Sequence, residues 1–485
     1  MGARIMRSCL YAAAGVFALV ATIYLVRAFD SRGQLDLGPE HRVRFVAEFT
    51  ADQESRIDWQ NYRDIEALLA AELQSRVDTH HRGDWMLGRH LPTSLTHPDN
   101  LEANWNYSYV ASPSTARGAA VMLHGLTDSP YSLLATASLF VDQGYHAVVP
   151  RMPGHGFAVG GLKQANWDDW AAIVRVAVRH AQTLMEPGQP LVLVGYSNGA
   201  LLAVHYALRC GDDGSSLCPD SLVLLSPAIA VTRFARLANL HHGISWVPYF
   251  EKFEWQDILP EIDPFKFTSF PKHAGWQTYE LSRRTVGLLA DPERVERLPP
   301  ILSFQSIVDD SVSGAATVDF LYNALPANGS ELVIYDVNRS STVLRLMSAP
   351  VEDPVDSLFE RAPLSFSVTV LSNRDSSGAE VGSTRLPAGE STAVEYDLGL
   401  AWPPGVFSLS HIAIPFRSAD SLYGDGSDTK SGTTESGLVL GALAPRGERS
   451  VLALTPNYFL RLRYNPFYEY QAAKIRDWLG VSGQE

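Results

Sequence analysis

The chain has 485 residues, 46% of them hydrophobic and 19% charged, and a net charge of −14. That composition can bury a large core and excludes a disordered chain. The acidic balance argues against nucleic acid as a partner, since phosphate binding needs a basic surface, and there is no basic block, internal repeat or heptad run.

Cys9–Val26 is an unbroken run of 18 uncharged, mostly apolar residues, preceded by Arg4 and Arg7. About 17–25 apolar residues cross a bilayer as a helix, so a transmembrane anchor is expected at 9–26 behind a short tail, 1–8. A cleaved signal peptide, cut after Ala28, is the alternative. The chain thereby gains a membrane as an expected partner. Arg27, Arg32, Arg42 and Arg44 follow the run and outnumber the arginines before it, which by charge counting opposes export, although large domains translocate largely regardless of flanking charge.

Residues 30–103 read as an N-terminal extension. Within it, Ile65, Leu68, Leu69, Leu73 and Val77 stand at helical spacing, predicting an amphipathic helix over Asp64–Arg76. From Asn104 onward a repeating pattern begins. Tyr107–Ala111 can be an early strand. Ala119–Leu123, Ala147–Pro150, Leu191–Val194, Leu222–Leu225, Ile301–Phe304 and Leu332–Tyr335 are short apolar runs. Ser132–Gln143, Trp167–Leu184 and Ala200–Arg209 are helical stretches between them. Short buried strands alternating with helices predict an α/β fold, a mostly parallel sheet covered on both faces.

Two long segments interrupt the rhythm. The first, 228–297, carries Trp246, Tyr249, Phe250, Phe253, Trp255, Phe265, Phe267, Phe270, Trp276 and Tyr279. An insertion here lies above the C-terminal strand edge, where ligands bind, so it reads as a cap or lid; a satellite core is the plainer alternative. The second, 338–406, holds strand-like runs at Leu364–Leu371 and Val394–Leu400 and reads as an elaboration of the sheet. Tyr423–Gly437 is a polar loop lacking the glycine and terminal glutamate of a calcium loop. A helix over Tyr468–Leu479 ends the chain. Cys210 and Cys218 flank the polar turn after Ala200–Arg209 and suggest a disulfide, hence an oxidising, extracytoplasmic compartment; two unpaired thiols are the alternative.

The chemistry centres on Gly195-Tyr196-Ser197-Asn198-Gly199, between an apolar strand and a helix. Small residues on both sides let the chain turn sharply and expose the serine hydroxyl as a nucleophile. A serine hydroxyl needs a histidine base, a carboxylate to orient it and donors for the oxyanion. In the order Ser, Asp/Glu, His, the acid follows the strand at 301: Asp309 fits best, Asp310 is its rival, and Asp336 ranks lower. His411 is the one histidine of 14 that follows Asp309. His124-Gly125-Leu126 follows the strand at 119 and offers the Leu126 amide as one oxyanion donor, with Asn198 as the second. His124 and His155 precede the acid and read as loop-fixing residues.

LHGLTDSPYS at 123–132, VVPRMPGHG at 148–156, GYSNGA at 195–200, and the SIVDD and SLSH segments together resemble the α/β-hydrolase superfamily. Within it they are most similar to bacterial carboxylesterases and the monoacylglycerol lipase/serine aminopeptidase-like group. The resemblance covers residues 105–335 and, more loosely, 405–480, within a hydrolase domain expected at 104–480. It implies Ser197 as nucleophile, Asp309 as acid, His411 as base, and Leu126 and Asn198 as oxyanion donors. The interval from Asp309 to His411 is longer than the family's usual one. The resemblance implies a serine hydrolase of small-molecule or lipid carboxylic esters, with no cofactor and no metal; the expected anchor, an addition to the family's pattern, makes it membrane-anchored. An acyltransferase or peptidase on the same scaffold, or a non-catalytic binding protein, are the alternatives.

Overall fold

The computed structural model describes residues 2–77, 88–212, 217–230, 248–307, 314–340, 358–375, 377–426, 439–441 and 462–481. Apolar runs rich in β-branched residues become the strands β1 (Tyr109–Ala111), β2 (Gly118–Leu123), β3 (Tyr145–Val149), β4 (Leu191–Tyr196) and β5 (Ser221–Leu225). A short ribbon, β6 (Trp255–Asp257) and β7 (Phe270–Pro271), stands apart from the main sheet. The series resumes with β8 (Ile301–Ser306), β9 (Glu331–Tyr335), β10 (Ser367–Asn373), β11 (Glu380–Leu386) and β12 (Val394–Ala401).

The main sheet has ten strands in the order β1-β3-β2-β4-β5-β8-β9-β10-β11-β12. From β3 to β10 every pairing is parallel; β1 at one edge and β11 and β12 at the other are antiparallel. Every residue of β2, β4 and β8 is buried, as expected of parallel strands covered on both faces. Leu191 and Leu193 point into one core and Val192, Val194 and Tyr196 into the other, the two-residue period of a strand.

The helices are α1 (Gly2–Arg32), a single turn α2 (Pro39–Arg42), α3 (Trp59–Arg76), α4 (Leu134–Asp142), α5 (Trp167–Thr183), α6 (Asn198–Arg209) and α7 (Lys272–Leu289), with a C-terminal helix, Tyr468–Val481. The Asp58 carboxylate caps α3 by accepting from the Asn61 amide at 2.8 Å, and Asp169 accepts from the Asn166 amide at the start of α5 at 2.8 Å. Helices α5, α6 and α7 cover one face of the sheet, while α4 and the C-terminal helix cover the other.

Of the expected elaboration at 338–406, the strands between Ser367 and Ala401 form the outer part of the sheet. β10 lies beside β9, and β11, which alternates buried and half-buried residues, had no clear sequence signal. The aromatic segment contributes packing: Trp255, Ile258, Phe267 and Ala274 join Leu37, Val159 and Leu162 in one buried cluster.

The N-terminal run lies on α1. α1 is 31 residues long, and Leu10, Tyr11, Val16, Phe17, Leu19, Leu25, Val26 and Phe29 are exposed on it. Among the described residues, however, no helix is long and apolar enough to cross a membrane. The transmembrane anchor at 9–26, and the membrane as a partner through it, are therefore not carried by the structure.

The extension after α1 is held by buried charge. Arg151, fully buried, donates to Glu48 at 2.8 and 3.1 Å and to Glu66 at 3.2 Å. Glu48 also accepts from the Gly154 amide at 2.8 Å, and Tyr62 donates to the Arg151 carbonyl at 2.7 Å. Burial alone would lower the Arg151 pKa; Glu48, Tyr62 and Glu66 instead raise it above its ordinary range. This network ties residues 48–66 to the loop after β3.

Candidate active site

Ser197 stands between the last residue of β4 and the first of α6, with φ 53° and ψ −113°. A non-glycine residue in that region is strained and persists only when its surroundings hold it. Four backbone bonds do so. The Ser197 amide donates to the Leu225 carbonyl at 2.8 Å, and its carbonyl accepts from the amides of Ala200, Leu201 and Ala228 at 3.1, 3.2 and 3.2 Å.

The two glycines of the motif are required by contact. A Cβ on Gly195 would lie 2.4 Å from the Ala200 Cα, and one on Gly199 would lie 1.9 Å from the Leu123 carbonyl oxygen. The helix therefore presses directly on the end of β2. Leu123 and Gly195 are register partners, so the serine turn and the loop after β2 emerge side by side. Ser197 is partly exposed although its neighbours in 191–200 are buried.

The loop after β2 supplies Leu126, also partly exposed. The Asp128 amide donates to the Gly125 carbonyl at 3.2 Å, closing a turn with Leu126 and Thr127 at its centre. Thr127 has φ 67°, the positive value that a type II turn demands at its third residue. Asn198 begins α6 and is buried. Helix N-termini present unpaired amides suited to a negative oxygen.

His124 serves the loop. Its Nε2 accepts from the Met152 amide at 2.9 Å and its Nδ1 lies 2.9 Å from the Gly125 carbonyl. Burial pushes its pKa down to about 3. His155 is packed edge-on against it, 5.0 Å between ring centres, and burial holds its pKa well below the usual range. Two neutral, buried imidazoles between strand ends are structural groups.

His411 begins a short 3-10 turn, His411–Ala413, and is partly exposed. Its segment is anchored at the C-terminal end of β9: the Asn338 amide donates to the Phe407 carbonyl at 2.7 Å, and the Asn338 side chain to the Val406 carbonyl at 3.0 Å. Leu409, Ala413 and Ile414 pack into the core with Val194 and Phe304. Asp309 and its rival Asp310 lie outside the described residues. β8 ends at Ser306, three residues before Asp309. Asp336 is engaged by Arg339, which donates to Oδ1 at 3.0 Å.

The structure thus sets Ser197, Leu126 and Asn198 at adjacent strand ends, with His411 anchored at the same edge of the sheet. It also joins residues that had no assigned role. Lys266, from the aromatic segment, donates to the Asp128 carboxylate at 2.7 Å, and the next amide, Phe267, donates to the Thr127 carbonyl at 2.8 Å. Asp128 stood in the sequence motif, but no spacing rule reaches a lysine 138 positions away. Among the described residues no group of three or more metal-ligating side chains could hold an ion.

Residues 114–253 match a family model described as serine aminopeptidase, S33. A thermostable monoacylglycerol lipase of Bacillus sp. (strain H-257) is 23% identical over 213 residues, covering 44% of this chain and 78% of the relative. Among solved structures, the monoacylglycerol lipase of Paleococcus ferrophilus is 18% identical over 47% of this chain and 88% of that one, with a TM-score of 0.36. A thermostable carboxyl esterase from Bacillus coagulans is 16% identical over 47% and 84%, also with a TM-score of 0.36. With its parallel sheet and strand–serine–helix turn, the chain has an α/β-hydrolase fold, and its segment 114–253 is similar to the serine aminopeptidase S33 family and to enzymes of the lipase and esterase type.

Proposed function

We propose that the chain is a serine hydrolase of carboxylic esters, acting through an acyl-enzyme on Ser197. The observation that carries this reading is the strained, partly exposed backbone of Ser197 between β4 and α6, a conformation whose use is to present a nucleophile. His411 removes the hydroxyl proton as Oγ attacks the ester carbonyl. Asp309 orients the imidazole and balances its positive charge. The tetrahedral oxyanion takes hydrogen bonds from the Leu126 and Asn198 amides. The alcohol leaves with the proton from His411, and water activated by the same histidine releases the acid.

The aromatic segment 228–297 acts as the cap of a hydrolase domain spanning 104–480, and it favours an apolar acyl chain. A relative named a monoacylglycerol lipase supports a lipid ester as substrate. The Cys210–Cys218 disulfide supports an extracytoplasmic location, since such bonds persist in oxidising compartments.

The test is labelling of the full chain by a fluorophosphonate probe, with hydrolysis of an aryl ester series of increasing acyl length. Labelling lost in Ser197→Ala, with turnover of the esters, is the expected result. Equal labelling after that substitution would sink the mechanism. Faster cleavage of aminoacyl arylamides than of any ester would move the reading to a peptidase.

A further inference from the structure

The turn Gly125–Asp128 is held by the segment 263–267. Thr127 is β-branched and sits at φ 67°, a strained conformation that needs external support. That support comes from two successive residues: Phe267 donates its amide to the Thr127 carbonyl at 2.8 Å, and Lys266 donates Nζ to the Asp128 carboxylate at 2.7 Å.

The Asp128 carboxylate and the nucleophile's strand both close on Gly125. A Cβ on Gly125 would lie 2.9 Å from Asp128 Oδ2 and 3.0 Å from the Tyr196 ring. The carboxylate and the ring thus press on Gly125 together, and Tyr196 directly precedes Ser197. The lysine segment is itself anchored: Asp263 accepts from the amides of Phe265 and Lys266 at 3.0 and 3.1 Å, from Tyr423 Oη at 2.6 Å and from Arg463 at 2.7 Å. Tyr131 stacks on Phe265 at 4.4 Å between ring centres.

We infer that Lys266 is a positioning residue for the oxyanion turn: its bond to Asp128, on a segment clamped by Asp263, holds the Leu126 amide in register with Ser197. This rests on the serine hydrolase reading above. A lid that swings freely would break these bonds, so the stretch 263–267 is a fixed strut at the edge of the site. Without the lysine, the buried Asp128 carboxylate loses its hydrogen-bonded counter-charge and keeps only the more remote Arg463, opposed by Asp263, and its adjustment releases the turn.

An oxyanion donor stabilises the transition state more than the ground state, so the loss falls on kcat. Lys266→Met is expected to lower kcat on 4-nitrophenyl butyrate roughly 10- to 100-fold and to weaken a boronic acid inhibitor in parallel, with KM changed less than about twofold. Lys266→Arg, which keeps the charge and the reach, should restore most of the rate. Lys252→Met removes another ion pair of the aromatic segment 228–297, with Asp36, away from the turn, and should leave kcat unchanged. Should Lys266→Met fail to fold, the isosteric Asp128→Asn carries the same expectation. An unchanged kcat in folded Lys266→Met or Asp128→Asn, a loss confined to KM, or no rescue by arginine would overturn the inference. If wild-type protein takes no fluorophosphonate label, the serine hydrolase reading itself fails, and the two failures are distinct.

Discussion

Gly199 of the serine turn lies so close to Leu123 that a β-carbon there would sit 1.9 Å from its carbonyl oxygen. The start of α6 is seated on the end of β2 through that missing side chain. This contact brings the Leu126 loop beside Ser197, and it cannot relax without moving a central strand.

Gly199→Ala is therefore expected to abolish activity and destabilise the fold, because backbone rather than a flexible side chain must give way. Overpacking in well-packed cores costs about 1–3 kcal/mol and sometimes more. Urea unfolding of the variant checks the stability, and fluorophosphonate labelling checks the site. A stable variant with full labelling would show that the contact is not restrictive.

Arg151 holds two carboxylates, Glu48 and Glu66, out of water. Arg151→Met strands both, and breaking a buried pair by removing one partner costs about 3–5 kcal/mol. The expected outcome is a lowered urea midpoint and early proteolysis within residues 30–77. Arg151→Lys should recover only part, since an ammonium cannot reproduce the paired bonds to Glu48.

Acid should destabilise the protein before its carboxylates titrate. Burial lowers the pKa of His124 to about 3 and of His205 to about 4, and lowers those of His90 and His155 as well. Below the ordinary histidine pKa the unfolded chain takes up protons that the folded one refuses. Stability is full above about pH 6.5 and falls as pH drops toward the folded values, by about 1.4 kcal/mol per pH unit for each such group. Glu66, Asp128 and Glu261, whose pKa values burial raises, act with the opposite sign nearer the carboxylate range. A thermal midpoint series between pH 7 and 5.5 isolates the histidines; a flat profile there would contradict the buried neutral imidazoles.

Cys210 and Cys218 are bonded across a separation of 8 residues. Closing so short a loop is worth roughly 2 kcal/mol through the unfolded chain. Cys218→Ser should lower the thermal midpoint modestly and leave kcat unchanged, because the bond lies at the far end of α6 from Ser197. A large loss of activity with stability intact would give the loop a role at the site.

The order and kind of most elements were readable because local rules govern them. Leu191–Tyr196 is apolar on both faces, as a central parallel strand must be. The glycines around Ser197 mark a turn that larger residues cannot make. β11 escaped because Glu380–Leu386 mixes exposed and buried positions with two charged residues and a glycine. The run at 9–26 was readable as apolar and lies on a helix, but among the described residues no helix is long and apolar enough to cross a membrane.

From the sequence alone, the strand–serine–helix turn, the loop at 123–128, the single late histidine and the cysteine pair could be named, because each is a short pattern whose chemistry depends on neighbours in the chain. Only the tertiary structure decided that Lys266 and Phe267 hold the turn at Thr127 and Asp128, and that Arg151 joins Glu48 to Glu66. Those contacts bridge 138 positions in the first case and 103 and 85 in the second. They exist because buried charges and strained backbone must find partners wherever folding brings them, and no local periodicity records which partner that will be.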